Sequence, residues 1–163
     1  MKQLIITLIA LVLAVSTKAQ DFSYLNDIEL NDKEQLKDAE EYVLDCCYYL
    51  TATRYDKKDV QRDRATAFVK AWLSKSEDLS ALINEDVFLM TEERDDLKNL
   101  YLSCYALTVI ENEGASQKEI EDGTLVSLLN YCNNPINKMK LTKELKRLVE
   151  VLEEGKLEAY LSK

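Results

Sequence analysis

The chain has 163 residues, with 30 Asp and Glu against 21 Lys and Arg, no histidine, and a formal charge of −9. Without histidine it lacks the commonest general base, metal ligand and pH switch, and its negative charge repels nucleic-acid phosphates and anionic lipid heads. Three glycines and one proline are too few for the turns of a sandwich or barrel, so long helices joined by short loops are expected.

Residues 1–19 have the three-part plan of a secretory signal peptide: Lys2, an apolar run from Leu4 to Val15, and small residues leading to Ala19. The run is shorter than the roughly 20 residues a membrane span needs. Thr17 and Ala19 place the cut before Gln20, and no cysteine follows it to carry a lipid anchor. Removing residues 1–19 leaves 144 residues and takes Lys2 and Lys18 with it, so the formal charge falls to −11. A domain of that size buries roughly 68–70% of its unfolded surface and needs no metal or disulfide to complete a core. The acidity serves solubility or makes a docking face for a basic partner.

Residues 20–30 lack a clear period and read as an arm. A first helix is expected near Asn31, where Asn31-x-x-Glu34 is a capping-box variant. Leu36, Ala39, Val43, Cys46, Cys47 and Leu50 give it one apolar face. A second helix follows Asp56, with Val60, Ala67, Phe68, Ala71 and Trp72 inward and Arg62, Asp63, Arg64 and Lys70 outward. Leu79, Leu82 and Ile83 suggest a short helix, and Val87–Met90 an extended link.

Thr91 is expected to cap a third helix with Glu92 and Glu93 in its first turn. Leu97, Leu100, Tyr101, Cys104, Leu107 and Thr108 keep its period, and Gly114 ends it. Ser116-x-x-Glu119 is a capping box for a fourth helix carrying Ile120, Leu125, Leu128, Leu129 and Cys132. Gly123 is expected to weaken the first part of that helix. Pro135 is read as the first residue of a fifth helix, capped by Asn134. Leu141, Leu145, Leu148 and Leu152 form the clearest stripe of the chain, widened by Val149. Gly155 follows at a C′ position, and Lys156–Leu161 reads as a last helical segment.

These elements predict an all-α fold: residues 20–163 as a single bundle of five or six antiparallel helices, with stacked helical hairpins as the alternative. Cys47-Tyr48-x-Leu50-Thr51 matches Cys104-Tyr105-x-Leu107-Thr108 at an offset of 57 residues, but five positions are too few to establish a repeat.

Cys46, Cys47, Cys104 and Cys132 make an even count for an oxidising compartment. Adjacent Cys46 and Cys47 point about 100° apart on a helix and do not pair with each other. Cys46–Cys104 with Cys47–Cys132, or Cys46–Cys132 with Cys47–Cys104, are both open, as is a set of ordinary buried thiols. No C-x-x-C knuckle supports a metal site or redox centre. No catalytic motif occurs, and a nucleophile paired with histidine is impossible. In the stretch around Gly114, an EF-hand register puts Val109 and Ile120 where acidic ligands belong, so it is not a calcium loop.

From YVLDCCYYL through RATAFVKAWL to KELKRLVEVLEEGKLEAYL, the chain resembles secreted all-helical proteins of Gram-negative bacteria. The leader ending in Ala-Gln, the Lys-Ala-Trp72 region, the Tyr101–Asn112 helix and the Glu-Gly155-Lys-Leu-Glu ending carry the likeness. The resemblance implies export and an all-helical fold, and no particular activity.

The expectation is a periplasmic or secreted, non-enzymatic domain that works by binding another protein, basic in character, as an inhibitor or immunity-type protein would. Tyr48, Tyr49, Trp72 and Tyr105 are its candidate anchors. The alternatives are a small-ligand binder with an aromatic pocket between helices and a structural or stress protein of the envelope. No cofactor, metal, nucleic acid or membrane insertion after leader removal is expected, and the oligomeric state is open.

Overall fold

The computed structural model describes residues 20–76, 79, 90–91 and 94–161. Their order is a 3-10 turn (Ser23–Asp27), then α1 (Lys33–Asp38), α2 (Glu40–Ala52), α3 (Val60–Lys75), α4 (Asp95–Glu111), α5 (Gln117–Asn133), α6 (Lys143–Glu153) and α7 (Leu157–Leu161). The protein is an all-α bundle, and no strand occurs among the described residues. Among them no helix is long and apolar enough to cross a membrane. The expected leader, the helix through Leu82 and Ile83 and the link through Val87 lie outside the described residues.

The expected first helix is broken into α1 and α2 at Ala39. There the Leu36 carbonyl accepts the Trp72 indole N–H at 2.9 Å. A side-chain donor placed in the helix ladder bends it, and the same bond satisfies a buried indole. The cap also sits one residue later than expected. The Asp32 carboxylate accepts from the Gln35 amide at 2.9 Å, and the Gln35 side chain reaches back to the Asn31 amide at 2.8 Å.

Asp59 caps α3 through the amides of Gln61 and Arg62. The inward face of α3 is Ala65, Phe68, Val69, Trp72 and Leu73. Phe68 and Trp72 face inward as expected, whereas Val60, Ala67 and Ala71 are exposed. The larger Val69 and Leu73 flank Phe68 and Trp72 on the other side and set the buried face.

α4 begins at Asp95, behind Arg94, so Asp95 and Asp96 supply the first-turn acids; Thr91 is a buried residue upstream and not the cap. All six residues of its expected face are buried. The α5 capping box is complete: Ser116 Oγ accepts the Glu119 amide at 3.4 Å, and Glu119 accepts the Ser116 amide at 2.8 Å. Gly123 lets α5 approach α4, since a Cβ there would stand 2.8 Å from Thr108 Cγ2.

Pro135 does not start a helix. The Asn137 amide bonds the Asn134 carbonyl at 3.0 Å, which makes a turn with Pro135 at its second position. The buried Asn137 side chain then caps the end of α5 by donating to the Tyr131 carbonyl at 2.8 Å. Thr142 caps α6 through the Leu145 amide. Gly155, at φ +66°, closes α6 with its amide on the Leu152 carbonyl and the Lys156 amide on the Val151 carbonyl, both at 3.0 Å. These are the two bonds of a Schellman ending.

α4 packs against α2, α3 and α5, and α5 against α6. One apolar cluster joins the arm residues Phe22 and Leu25 to α2, α3 and the later part of α4; a second joins the earlier part of α4 to α5 and α6. Burying each large apolar side chain stabilises the fold by about 1.5–3 kcal/mol. The two five-residue matches occupy α2 and α4. Thr51 and Thr108 each donate back to the carbonyl of their own cysteine, at 2.7 and 2.8 Å, but Tyr48 is exposed and Tyr105 buried.

Candidate functional site

A cleft of about 530 Å³ opens between α3, the start of α4 and the link that follows α2. α3 lines it with Arg62, Asp63, Thr66 and Lys70, and α4 with Asp95, Asp96 and Asn99. Each set recurs at helical spacing, so one face of each helix looks into the cleft. Tyr55 and Tyr131 close it, with Asp56 and Lys57 at the rim.

Arg62 organises this site. Only 7% of it is exposed, against the outward position expected from its charge. Both Nη atoms donate to the Leu50 carbonyl at 3.2 Å, and Nη2 also reaches the Thr53 carbonyl and hydroxyl at 2.9 Å. A cation placed there binds the unpaired carbonyls that end α2 and opposes the negative end of the helix dipole. Tyr131 Oη, which bonds the Thr53 carbonyl at 2.9 Å, lies 3.4 Å from Nη2. The guanidinium stands 5.6 Å from the Tyr55 ring centre, within cation–π range. Every acceptor on the guanidinium is neutral, and its Nε is buried without a hydrogen-bond partner.

The Asp59 carboxylate feels the Arg62 charge. Burial pushes its pKa up. The Tyr49 hydroxyl at 2.6 Å, the amides of Arg62 and Gln61, and the Arg62 charge outweigh that and hold it below the usual carboxylate range. The Tyr49 phenol moves the other way, up to about 12, through burial and its bond to Asp59.

The four expected anchors are separated by the fold. Trp72 is 2% exposed and Tyr105 1%, so neither can contact a partner. Trp72 is sealed by its indole bond to Leu36. The Tyr105 ring stacks with Tyr101 at 6.5 Å while its hydroxyl bonds the Leu79 carbonyl at 2.7 Å. Tyr49 is half-buried and engaged with Asp59. Tyr48 alone of the four is exposed, at 48%, with its hydroxyl bonded to Glu111.

Cys46, Cys47, Cys104 and Cys132 are buried free thiols, and neither expected pairing is formed. Burial pushes Cys46 and Cys132 up to about 12 and raises Cys47 and Cys104 strongly. Cys104 acts electrostatically on Cys47 and Cys132 on Cys104, while Cys46 acts on Tyr24 of the arm. As adjacent helical residues, Cys46 and Cys47 point about 100° apart on α2. Among the described residues no group of three or more acidic or cysteine side chains could hold a metal ion.

The sequence reading missed Arg62 because charge was taken to mean outward. Its position carried the opposite message: 62, 65, 69 and 72 fall on one helical stripe with Ala65, Val69 and Trp72. Tyr55 and the Asp95–Asp96 pair left no comparable trace. In comparisons with known proteins, no family model, curated protein or solved structure matches the chain.

Proposed function

We propose that this is an exported, non-enzymatic helical domain that binds a small polar ligand in the Arg62 cleft. The observation that carries the reading is the buried guanidinium on the cleft wall with an unpartnered Nε and only neutral acceptors. A cleft of about 530 Å³ falls within the usual range of ligand sites. Its walls carry both signs, Arg62, Lys57 and Lys70 against Asp56, Asp63, Asp95 and Asp96. That mixture suits a small zwitterion better than an apolar molecule. The non-enzymatic reading is supported by the absence of histidine and by thiols whose raised pKa leaves them poor nucleophiles.

The test is a thermal-shift series on the leaderless protein with free amino acids, dicarboxylates and neutral sugars at millimolar concentration. A zwitterion should raise Tm in a concentration-dependent way. Lys70→Ala and Asp95→Asn, both on the cleft wall, should remove that shift while leaving the unliganded Tm within a degree or two. No shift with any zwitterion, or a shift that both variants retain, would overturn the reading.

A second reading, docking of a basic protein as an inhibitor or immunity-type protein would, is favoured by the exposed Tyr48 ring beside Glu111. It predicts a salt-sensitive complex in a native mass spectrum of the protein taken from its host envelope, weakened by Tyr48→Ala. A structural or stress role predicts neither the shift nor the complex.

A further inference from the structure

Resting on the export reading, we infer that the mature protein begins with pyroglutamate, formed from Gln20 after the leader is cut. The arm that follows the cut is fixed from its second residue. The Asp21 carboxylate takes the Ser23 amide at 3.0 Å and the Ser23 hydroxyl at 2.9 Å, and pairs with Arg64 at 3.2 Å. Phe22 is fully buried, its amide donates to Gln61 Oε1 at 2.8 Å, and its ring meets Tyr49 edge-on at 5.2 Å. Gln20 is exposed, just outside this anchored stretch.

Cleavage before Gln20 frees an α-amine whose ordinary pKa is about 7.7–8.0, so an appreciable fraction is unprotonated near neutrality. The neighbouring Asp21 carboxylate is engaged by Arg64 and Ser23. The amine and the Gln20 carboxamide belong to one residue, and joining them closes a five-membered ring. The amine nitrogen attacks Cδ, the new N–Cδ bond forms, and the Cδ–Nε2 bond breaks. The side-chain nitrogen leaves as ammonia and carries off an amine proton. No oxidant, reductant or second substrate is needed, and proximity supplies the rate advantage of an intramolecular reaction.

The lactam has no free amine, so an aminopeptidase has nothing to grip. That protects an arm whose next two residues are structural. Trimming to Phe22 would remove the Asp21–Arg64 pair, and one residue more would empty the Phe22 site in the core.

The experiment is intact-mass and N-terminal sequencing of the protein, recovered quickly in acid from the envelope and medium of its own host. The expected result is the mass of residues 20–163 lowered by about 17 Da for the lost ammonia, with sequencing blocked until a pyroglutamyl peptidase is added. Gln20→Asn, cut at the same place, should give an open N-terminus at its plain mass. A chain beginning at Gln20 with a free amine would overturn the inference and leave the export reading standing. A chain still carrying residues 1–19, or cut elsewhere, would overturn both the assignment and the cleavage on which it rests. A pyroglutamate fraction that is absent at harvest and grows only on storage would overturn it as a property of the cellular protein.

Discussion

The Tyr131 hydroxyl donates to the Thr53 carbonyl at 2.9 Å, tying α5 to the end of α2 across 78 residues of chain. Arg62 Nη2 reaches the same carbonyl at the same distance. One peptide oxygen therefore joins three helices, and the two donors can be removed separately.

Tyr131→Phe should cost about 0.5–1.5 kcal/mol, because Arg62 still satisfies the carbonyl. Arg62→Ala should cost more, about 1.5–3 kcal/mol for the charged hydrogen bonds alone, because it orphans the Leu50 carbonyl and leaves the Thr53 carbonyl to Tyr131 alone. Arg62→Lys keeps the charge but not the fork, and should recover only part of the loss. Urea unfolding of the three variants checks this ordering; a lysine variant as stable as the parent would show that the fork geometry is unimportant.

Gly123→Ala would stabilise an exposed helix by about 1 kcal/mol. Here the added Cβ would stand 2.8 Å from Thr108 Cγ2, so a net loss of about 1–3 kcal/mol is expected. Thr108→Ser removes that methyl and keeps the hydroxyl bond to the Cys104 carbonyl. The double variant should then be more stable than the sum of the two single changes, a coupling that a thermodynamic cycle measures directly.

The thiols set an alkaline limit. Burial holds their folded pKa values well above the ordinary thiol range, with Cys46 and Cys132 pushed up to about 12. A raised folded pKa contributes stability that is fully present below the unfolded value and is lost as pH rises through the folded one. Stability should therefore fall between about pH 9 and pH 12, helped by Tyr49 and Tyr105, both raised to about 12. The same burial predicts that native protein resists maleimide at pH 7.5 and that all four thiols react in urea without reductant. Fewer than four labels would mean that some are oxidised in the sample.

Asp59 works in the opposite direction at low pH. Its folded pKa is depressed below 3.8, so its contribution is present above the unfolded value and is lost as pH falls through the folded one. Asp59→Ala should cost about 0.5–2 kcal/mol at pH 7 through loss of the α3 cap. Asp59→Asn keeps a capping oxygen and should show a shallower acid dependence below pH 4. An unchanged slope in the asparagine variant would assign the acid loss to other carboxylates.

Where local chemistry decided the structure, the sequence was readable. The Ser116–Glu119 box, the Gly155 ending and the buried face of α4 each follow from residues within one or two turns. Where a distant partner decided it, the sequence was mute. The break at Ala39 depends on the Trp72 indole, 36 residues away from Leu36. Pro135 could begin a helix or hold a turn, and Asn137 bonding back to Tyr131 selects the turn. Trp72 and Tyr105 looked like possible anchors because aromatic residues serve either role, and only tertiary contacts distinguish them. The cleft was hidden for the same reason: its walls come from α3 and α4, and its central charge sits on a stripe that reads as core.

α4 has two masters. Tyr105, Ala106 and Leu107 belong to the cluster built on the arm, α2 and α3, whereas Leu97, Leu100, Tyr101 and Cys104 belong to the one built on α5 and α6. Neither half of the molecule owns a complete interior. To shed α5 and α6 would strip one side of a helix on which Trp72's neighbours also lean. Damage at Leu128 should therefore be felt at Trp72, and heat should melt the protein in one transition.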